Sequence, residues 1–330
     1  MIKRRTFIQG AATLMAGTGL LHAPWTQAAP GGRLLYGYPP GAVGDQLANG
    51  VLPLLAAQHG PQYHLQNIEG RNTRLAALQA KAAPADGTTL LQVLSSSFTL
   101  QPHIYKKLDF DPLQDFEPIA LLGDVTYALT LGPVVPAQVN SVKTFFSWLE
   151  DNPEYRNIGV SIYGTLGHLA LRILALNSDV KDVPLRGQPY KGTAAMLTDL
   201  HQQGLAAAFT VASNLNDKAA HKDLRAIAVT SRERLKYWPD VPTLYEQGFN
   251  DLDITGWFGW FAPRGTPAAV TGPLRERLKG LQASAPFGAL QERLLMTNAS
   301  VDPLKIEARI REESARYATL LDTYKLGKID

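Results

Sequence analysis

Thr193-Ala194-Ala195-Met196-Leu197-Thr198-Asp199-Leu200-His201-Gln202-Gln203, then Gly204, then Leu205-Ala206-Ala207-Ala208-Phe209-Thr210-Val211 reads as helix, stop and strand. A glycine just past the last turn is where a helix C-terminus favours it. The run after it leaves no position for a wet face, the pattern of a parallel strand buried on both sides. Leu224 to Thr230 repeats that pattern. Upstream, Arg33-Leu34-Leu35-Tyr36-Gly37-Tyr38 predicts a short strand that stops at Pro39-Pro40-Gly41. Asp45 is expected to cap a helix with Leu47, Val51, Leu54 and Leu55 on one face, and Pro53 to kink it or end it early. Thr88 to Leu94 predicts a strand, closed by Ser95-Ser96-Ser97. Ser141 caps a helix bearing Val142, Phe145, Phe146 and Leu149, and Thr165 opens one bearing Leu166, Leu169, Ala170, Ile173 and Leu174. Pro267 and Pro303 are placed just inside two late helices, where a missing N–H costs nothing. Strands alternating with helices imply an α/β protein with open parallel sheets.

At 330 residues the chain has room for about two domains of ~150 residues. Hydrophobic residues at 45% against 18% charged provide for a packed core. Lys3, Arg4 and Arg5 account for the whole formal charge of +3, and no acid precedes Ala28, so the remainder is neutral. A neutral chain argues against a nucleic-acid partner, which needs clustered cations on phosphates. Lys3-Arg4-Arg5, the uncharged stretch Thr6 to Leu21 and Thr26-Gln27-Ala28-Ala29 read as the three parts of a signal peptide over residues 1–28. Cleavage is placed after Ala28, because Pro30 sits badly at +1 for a cut after Ala29. Arg4-Arg5-Thr6-Phe7-Ile8-Gln9 also resembles a twin-arginine signal, which exports a folded chain. No later segment is long and apolar enough to span a bilayer, so a periplasmic product that is not membrane-embedded is expected.

Covalent chemistry finds little support. The chain has no cysteine, which excludes disulfides and thiol nucleophiles, and its seven histidines form no metal-binding pattern. No glycine-rich phosphate loop follows a strand, so no cofactor and no metal are expected. Gly159-Val160-Ser161-Ile162-Tyr163-Gly164 has one residue too many for a nucleophile elbow. What remains is a set of small and hydroxyl-bearing turns between strand and helix: Pro40-Gly41-Ala42-Val43-Gly44-Asp45, Ser95-Ser96-Ser97-Phe98, and Ser161 through His168. Ligands of open α/β sheets bind beyond the carboxyl ends of strands, where free N–H groups of the next helix hold an anion. Each turn alone also reads as an ordinary cap; together they suggest a carboxylate site.

From about Tyr36 to Leu274 the chain resembles the Bug family, the extracytoplasmic solute receptors of tripartite tricarboxylate transporters. The resemblance rests on Tyr38-Pro39-Pro40-Gly41 with Asp45, Ala83-Pro84-Ala85-Asp86-Gly87-Thr88-Thr89, and Leu108-Asp109-Phe110-Asp111-Pro112 through Pro118. It continues in Ser161 with Gly164 and His168, Pro189-Tyr190-Lys191-Gly192, Leu224 to Ser231, Pro239-Asp240-Val241-Pro242-Thr243, and Ala262 to Pro267. It implies a two-domain Venus flytrap of the periplasmic-binding-protein type, with residues 30–130 plus 255–330 as domain 1 and 131–254 as domain 2. The hinge crossings are expected near Thr130-Leu131-Gly132 and Thr255-Gly256-Trp257.

By that resemblance Gly41, Ala42, Val43, Asp45, Ser96 and Ser97 bind ligand from one jaw, Ser161, Gly164, Thr165 and His168 from the other, and Thr210 is also expected among the ligand-binding residues. Asp45 reads equally as a helix cap, and His168 as a packed residue orienting its turn. The implied function is capture of a small organic carboxylate, a di- or tricarboxylate or an aromatic acid, for membrane permease subunits. No enzymatic activity is expected. The alternatives are a ligand sensor for a signalling partner, or an enzyme on the same scaffold.

Three departures from the family pattern bear on the ligand. Gly44 replaces a hydroxyl residue, Glu69-Gly70-Arg71-Asn72-Thr73-Arg74 replaces a glycine-rich stretch, and Thr210 follows Phe209 where relatives have aspartate. Without that acid to receive an ammonium, a carboxylate lacking an amine is favoured. Trp257, Phe258, Trp260 and Phe261 read as a strand with one face in the core, or with one tryptophan lining the cleft to favour an aromatic acid.

Overall fold

The structure, a computed structural model, describes residues 31–178, 185–217 and 219–328; the leader read over 1–28 lies outside the described residues. In chain order the first elements are β1 (Gly32–Tyr36), α1 (Val43–Ala57), β2 (Tyr63–Asn67), α2 (Arg74–Lys81), β3 (Thr89–Leu94), α3 (Ser96–Thr99), α4 (Gln101–Ile104) and β4 (Phe116–Leu131). Then come α5 (Val142–Asp151), β5 (Asn157–Val160), α6 (Leu166–Leu176), β6 (Arg186–Pro189), α7 (Thr193–His201), β7 (Ala207–Val211) and β8 (Arg225–Val229). The chain closes with β9 (Thr255–Pro263), α8 (Ala268–Gln282), α9 (Ala285–Arg293) and α10 (Pro303–Thr323).

β4 belongs to two sheets. Its Phe116–Thr126 stretch runs antiparallel to β9, which runs antiparallel to β3, and β3 and β2 flank β1 in parallel. From Tyr127 onward β4 pairs instead with β7 and β8, both antiparallel, and β7, β5 and β6 continue in parallel. Strand twist accumulates along so long a strand, and its register shifts at Pro118/Ala120, Leu121/Gly123 and Leu129/Thr130 bend it further. One end therefore leaves the plane of the first sheet and enters the second.

Each sheet is covered on both faces. On β9, Phe258, Trp260 and Ala262 join the core beneath α1, α8 and α9, while Trp257 and Phe261 join the one beneath α2 and α10. In the second sheet, Leu129, Leu131 and Phe209 pack with α5 and α6, and Ala128, Ala208 and Val229 with α7. Two-sided burial explains why the strands read as unbroken apolar runs.

The fold is α/β as expected, with several local corrections. The sheets are mixed, because β4 and β9 run against their neighbours, and β8 is an antiparallel partner of β4. α1 continues past Pro53 to Ala57, and its N-cap is Ala42, so Asp45 lies inside the first turn. α7 ends with Gln203 in the left-handed position and the Gly204 N–H on the Asp199 carbonyl. The left-handed residue is thus Gln203, and Gly204 stands one place beyond it, where a β-carbon would meet the movable Asp199 carboxylate at 2.1 Å. Pro267 is the N-cap residue of α8 rather than its first helical residue, whereas Pro303 opens α10 as expected. β9 has both faces in the core, and its tryptophan N–H groups go to Gln92 and Glu313. Ser141 and Thr165 cap α5 and α6 as read.

Candidate functional site

The turn after β1 is organised by Asp45. Its Oδ2 accepts the Gly41 N–H at 2.5 Å and its Oδ1 accepts Asn67 Nδ2 at 2.8 Å. Burial raises the Asp45 pKa, against the lowering effect of the Asn67 and Gly41 bonds. Gly41, at φ +89°, turns the chain, and its N–H is consumed by Asp45. Among the described residues, the N–H groups of Ala42 and Val43 have no acceptor, as expected at a helix start. Gly44 is glycine for a reason of space: a β-carbon would lie 2.2 Å from the Tyr36 hydroxyl.

The turn after β3 is buried and rich in hydroxyls. Ser95 accepts from Trp257 N and donates its own N–H to the Trp257 carbonyl, which ties this turn to the start of β9. Ser97 Oγ lies 3.2 Å from Thr73 Oγ1. Ser96 Oγ is buried with no hydrogen-bond partner among the described residues, and so is the Tyr127 hydroxyl. Burial and neighbouring tyrosines push the pKa of Tyr36 and of Tyr127 well up, so both hydroxyls stay protonated donors. Tyr38 is also raised by burial; Ser96 stands close enough to oppose that, though outside hydrogen-bond geometry. An unpaired buried hydroxyl costs about 1–3 kcal/mol, a cost that a polar ligand removes by pairing with it.

The glycine-poor stretch 70–74 keeps a glycine-like path. Arg71, Asn72 and Thr73 have φ of 49°, 51° and 72°. Side chains hold the strained turn: Gln101 Nε2 donates to the Asn72 carbonyl, Asn72 Nδ2 donates to the Tyr105 hydroxyl at 2.7 Å, and the Arg74 guanidinium lies over the Tyr105 ring at 3.8 Å.

In the turn after β5, Thr165 Oγ1 accepts from His168 N and donates to the Ile162 carbonyl. Gly164, at φ +75°, donates its N–H to His168 Nδ1 at 3.3 Å. Burial, and secondarily Arg172, lowers the His168 pKa to about 4, so the ring is neutral near pH 7 with its proton on Nε2. No hydrogen bond joins His168 to Ser161 among the described residues, so the pair has no nucleophile–base geometry.

The three turns converge. A β-carbon on Gly164 would touch Ile104 at 2.7 Å, one on Gly192 would touch Pro39 at 2.8 Å, and Ala42 and Ile162 pack on the same apolar core. Gly41 and Gln46, after β1, share a cavity of about 480 Å³ with Thr193, after β6, and with Ser213 and Asn214, after β7. All of these follow the carboxyl ends of parallel strands. Ser213 Oγ and Asn214 Nδ2 are buried and unpartnered among the described residues. Thr210 lies inside the sheet, its hydroxyl 3.1 Å from Thr130 Oγ1, and does not line the cavity. Sequence reading missed Asn67, Tyr127, Ser213 and Asn214; of these only Ser213-Asn214 carried a signal, a polar pair just after an apolar strand. Among the described residues no group of three or more histidine or acidic side chains is arranged to hold a metal ion.

Residues 63–325 match the model of the "tripartite tricarboxylate transporter family receptor". The chain is 27% identical to a UPF0065 protein of Bordetella pertussis over 77% of both chains, and 26% identical to BugT of the same organism over 77% of both. Its fold superposes on the solved Rpa4515 of R. palustris with adipate at a TM-score of 0.84 and 24% identity, covering 91% of this chain and 98% of that one. The periplasmic binding protein BugD gives 0.81 at 24% identity, over 90% and 98%, and MatC of Rhodopseudomonas palustris with bound malate gives 0.78 at 23%, over 88% and 98%. These likenesses cover both sheets, so the fold is that of the two-domain periplasmic binding proteins. With most of its length matched by the family model, the chain belongs to the Bug-type solute receptors of tripartite tricarboxylate transporters.

Proposed function

We propose that this receptor is exported to the periplasm, captures a small organic carboxylate between its two halves and presents it to membrane permease subunits, without chemical change to the ligand. The observation that carries the reading is the cavity after β1, β6 and β7, walled by Gly41 and Gln46 from one half and by Thr193, Ser213 and Asn214 from the other. Its donors are the unpaired Asn214 amide, the start of α7 and the Arg293 guanidinium, with the Asp217 carboxylate also on the wall, and the open N–H groups of Ala42 and Val43 follow Gly41 directly. Acceptor-rich carboxylates match such a set, and helix starts favour anions. The adipate and malate seen in two solved relatives belong to the same chemical class. Residues 30–130 with 255–330, and 131–254, act as the two lobes, and hinge closure buries the ligand with Ser96, Ser97, Ser161, Gly164 and Thr165.

A thermal-shift screen against di- and tricarboxylates, aromatic acids and amino acids tests this reading. Ligand at ~100 times its Kd adds about 2.7 kcal/mol, which for a chain of this size raises Tm by about 5 °C or more. A shift with one carboxylate, recovered unchanged afterwards, supports the receptor reading. Turnover of that ligand, or a shift with amino acids alone, overturns it.

A further inference from the structure

A second cavity, of about 200 Å³, shares no lining residue with the one between the strand ends. Its walls come from three distant parts of the chain: Leu100 and Ile104 of the segment after β3, Leu169 of α6, and Leu321 and Leu326 at the end of α10. Against this apolar lining stand His168, Arg172 and Lys328, and no acidic side chain lines the space. Arg172 and Lys328 are exposed at its mouth and have no hydrogen-bond or ion-pair partner among the described residues. His168 adds a fixed polarity. Its Nδ1 is occupied by the Gly164 N–H, so Nε2 carries the ring proton and can only donate. Asp322, which with Lys328 is close enough to act on His103, does not line the cavity.

We infer that this cavity is a separate binding site for a monocarboxylic acid with a compact apolar body, of the size of benzoate. The apolar walls take the ring, and the His168 Nε2–H, Arg172 and Lys328 take the carboxylate. The size agrees, since an apolar cavity of ~150 Å³ accommodates benzene. The charge agrees, since every polar side chain lining the space is a donor or a cation, which disfavours amines and leaves neutral ligands without a gain. Occupation is felt at the turn after β5, because the ring that meets the carboxylate also holds the Gly164 N–H.

Sodium benzoate titrated into the purified chain, followed by NMR of the His168 ring, tests the inference. The expected result is a saturable shift of the His168 signals, weakened about tenfold or more by Arg172→Gln with Lys328→Gln. Both substituted residues are exposed, so the fold survives the change. Leu326→Trp, which fills the cavity from its rim, is expected to abolish the shift. Absence of a saturable shift in the unmodified chain, or equal benzoate affinity in the doubly substituted chain, overturns the inference. Gly164 and His168 border both this cavity and the turn assigned to the receptor's ligand, but Arg172, Lys328 and Leu326 belong to this cavity alone. Loss of the benzoate shift in these variants with the receptor ligand's thermal shift retained therefore separates the two sites, and loss of both together overturns the inference of a separate site.

Discussion

Gly44 leaves room for Tyr36: a β-carbon at residue 44 would lie 2.2 Å from the Tyr36 hydroxyl oxygen and 2.3 Å from the ring carbon that bears it. The ring cannot retreat, because it stacks on Tyr38 at 5.2 Å and meets Phe258 edge-on. Gly44→Ala is therefore expected to destabilise the fold by about 1–3 kcal/mol through overpacking. Tyr36→Phe will not relieve it, since ring carbons remain at 2.3 and 2.7 Å. Tyr36→Leu will, and a double-mutant cycle by urea unfolding should return a coupling well above the scatter of ~0.5 kcal/mol seen for independent sites.

Gly41 and Gly192 both have positive φ, 89° and 93°, but differ in their surroundings. Nothing lies within 4 Å of a β-carbon at Gly41, whereas at Gly192 it would strike Pro39 of the other half at 2.8 Å. Gly41→Ala is expected to cost only the backbone strain of about 1–2 kcal/mol. Gly192→Ala should in addition hold the halves apart. Small-angle scattering checks this: a larger radius of gyration for Gly192→Ala and an unchanged one for Gly41→Ala.

The buried His168 ties stability to pH. Its folded pKa of about 4 lies below the ordinary 6.5, so the unfolded chain binds a proton across that window while the folded chain does not. Stability from this group is complete above pH ~6.5 and declines towards pH ~4, by up to about 3 kcal/mol. His168→Asn keeps an acceptor near the Gly164 N–H without the titration. Its unfolding free energy should fall less between pH 7 and pH 4 than that of the unmodified chain.

Where β4 passes between sheets, α10 buttresses it through charge. Arg309 bonds Asp124 and Glu313 at 2.7 Å each, and Glu313 accepts the Trp257 indole N–H at 2.8 Å. Arg309→Met leaves two half-buried carboxylates without their cation and is expected to cost about 2–3 kcal/mol, below the full cost for a deeply buried pair. Glu313→Gln keeps an acceptor for Trp257 and should cost clearly less. Guanidinium unfolding of the two variants distinguishes them.

Events within a turn or two of helix were legible in the residues themselves. Ser141 and Thr165 cap α5 and α6 because their hydroxyls reach N–H groups three positions on, and the apolar run before Val211 became a strand buried on both faces. The small, hydroxyl-bearing turns after β1, β3 and β5 were legible for the same reason. Asp45 was visible as a polar residue at a helix start, but its bond to Asn67 was not, because β2 had first to be laid beside β1. The exchange of partners along β4 also escaped a reading of its sequence, since apolar residues fill both faces in either sheet.

By itself the sequence determined the alternation of strands and helices, the caps, the turns that offer free N–H groups, and the family. Only the tertiary structure decided that Gly41 and Asn214 face one cavity, that His168 spends Nδ1 on Gly164, and that Arg172 and Lys328 meet at another. The physical reason is range. Caps and strand periodicity depend on neighbours a few residues away, whereas a cavity exists only where segments far apart in the chain are held at a distance by the cores beneath them.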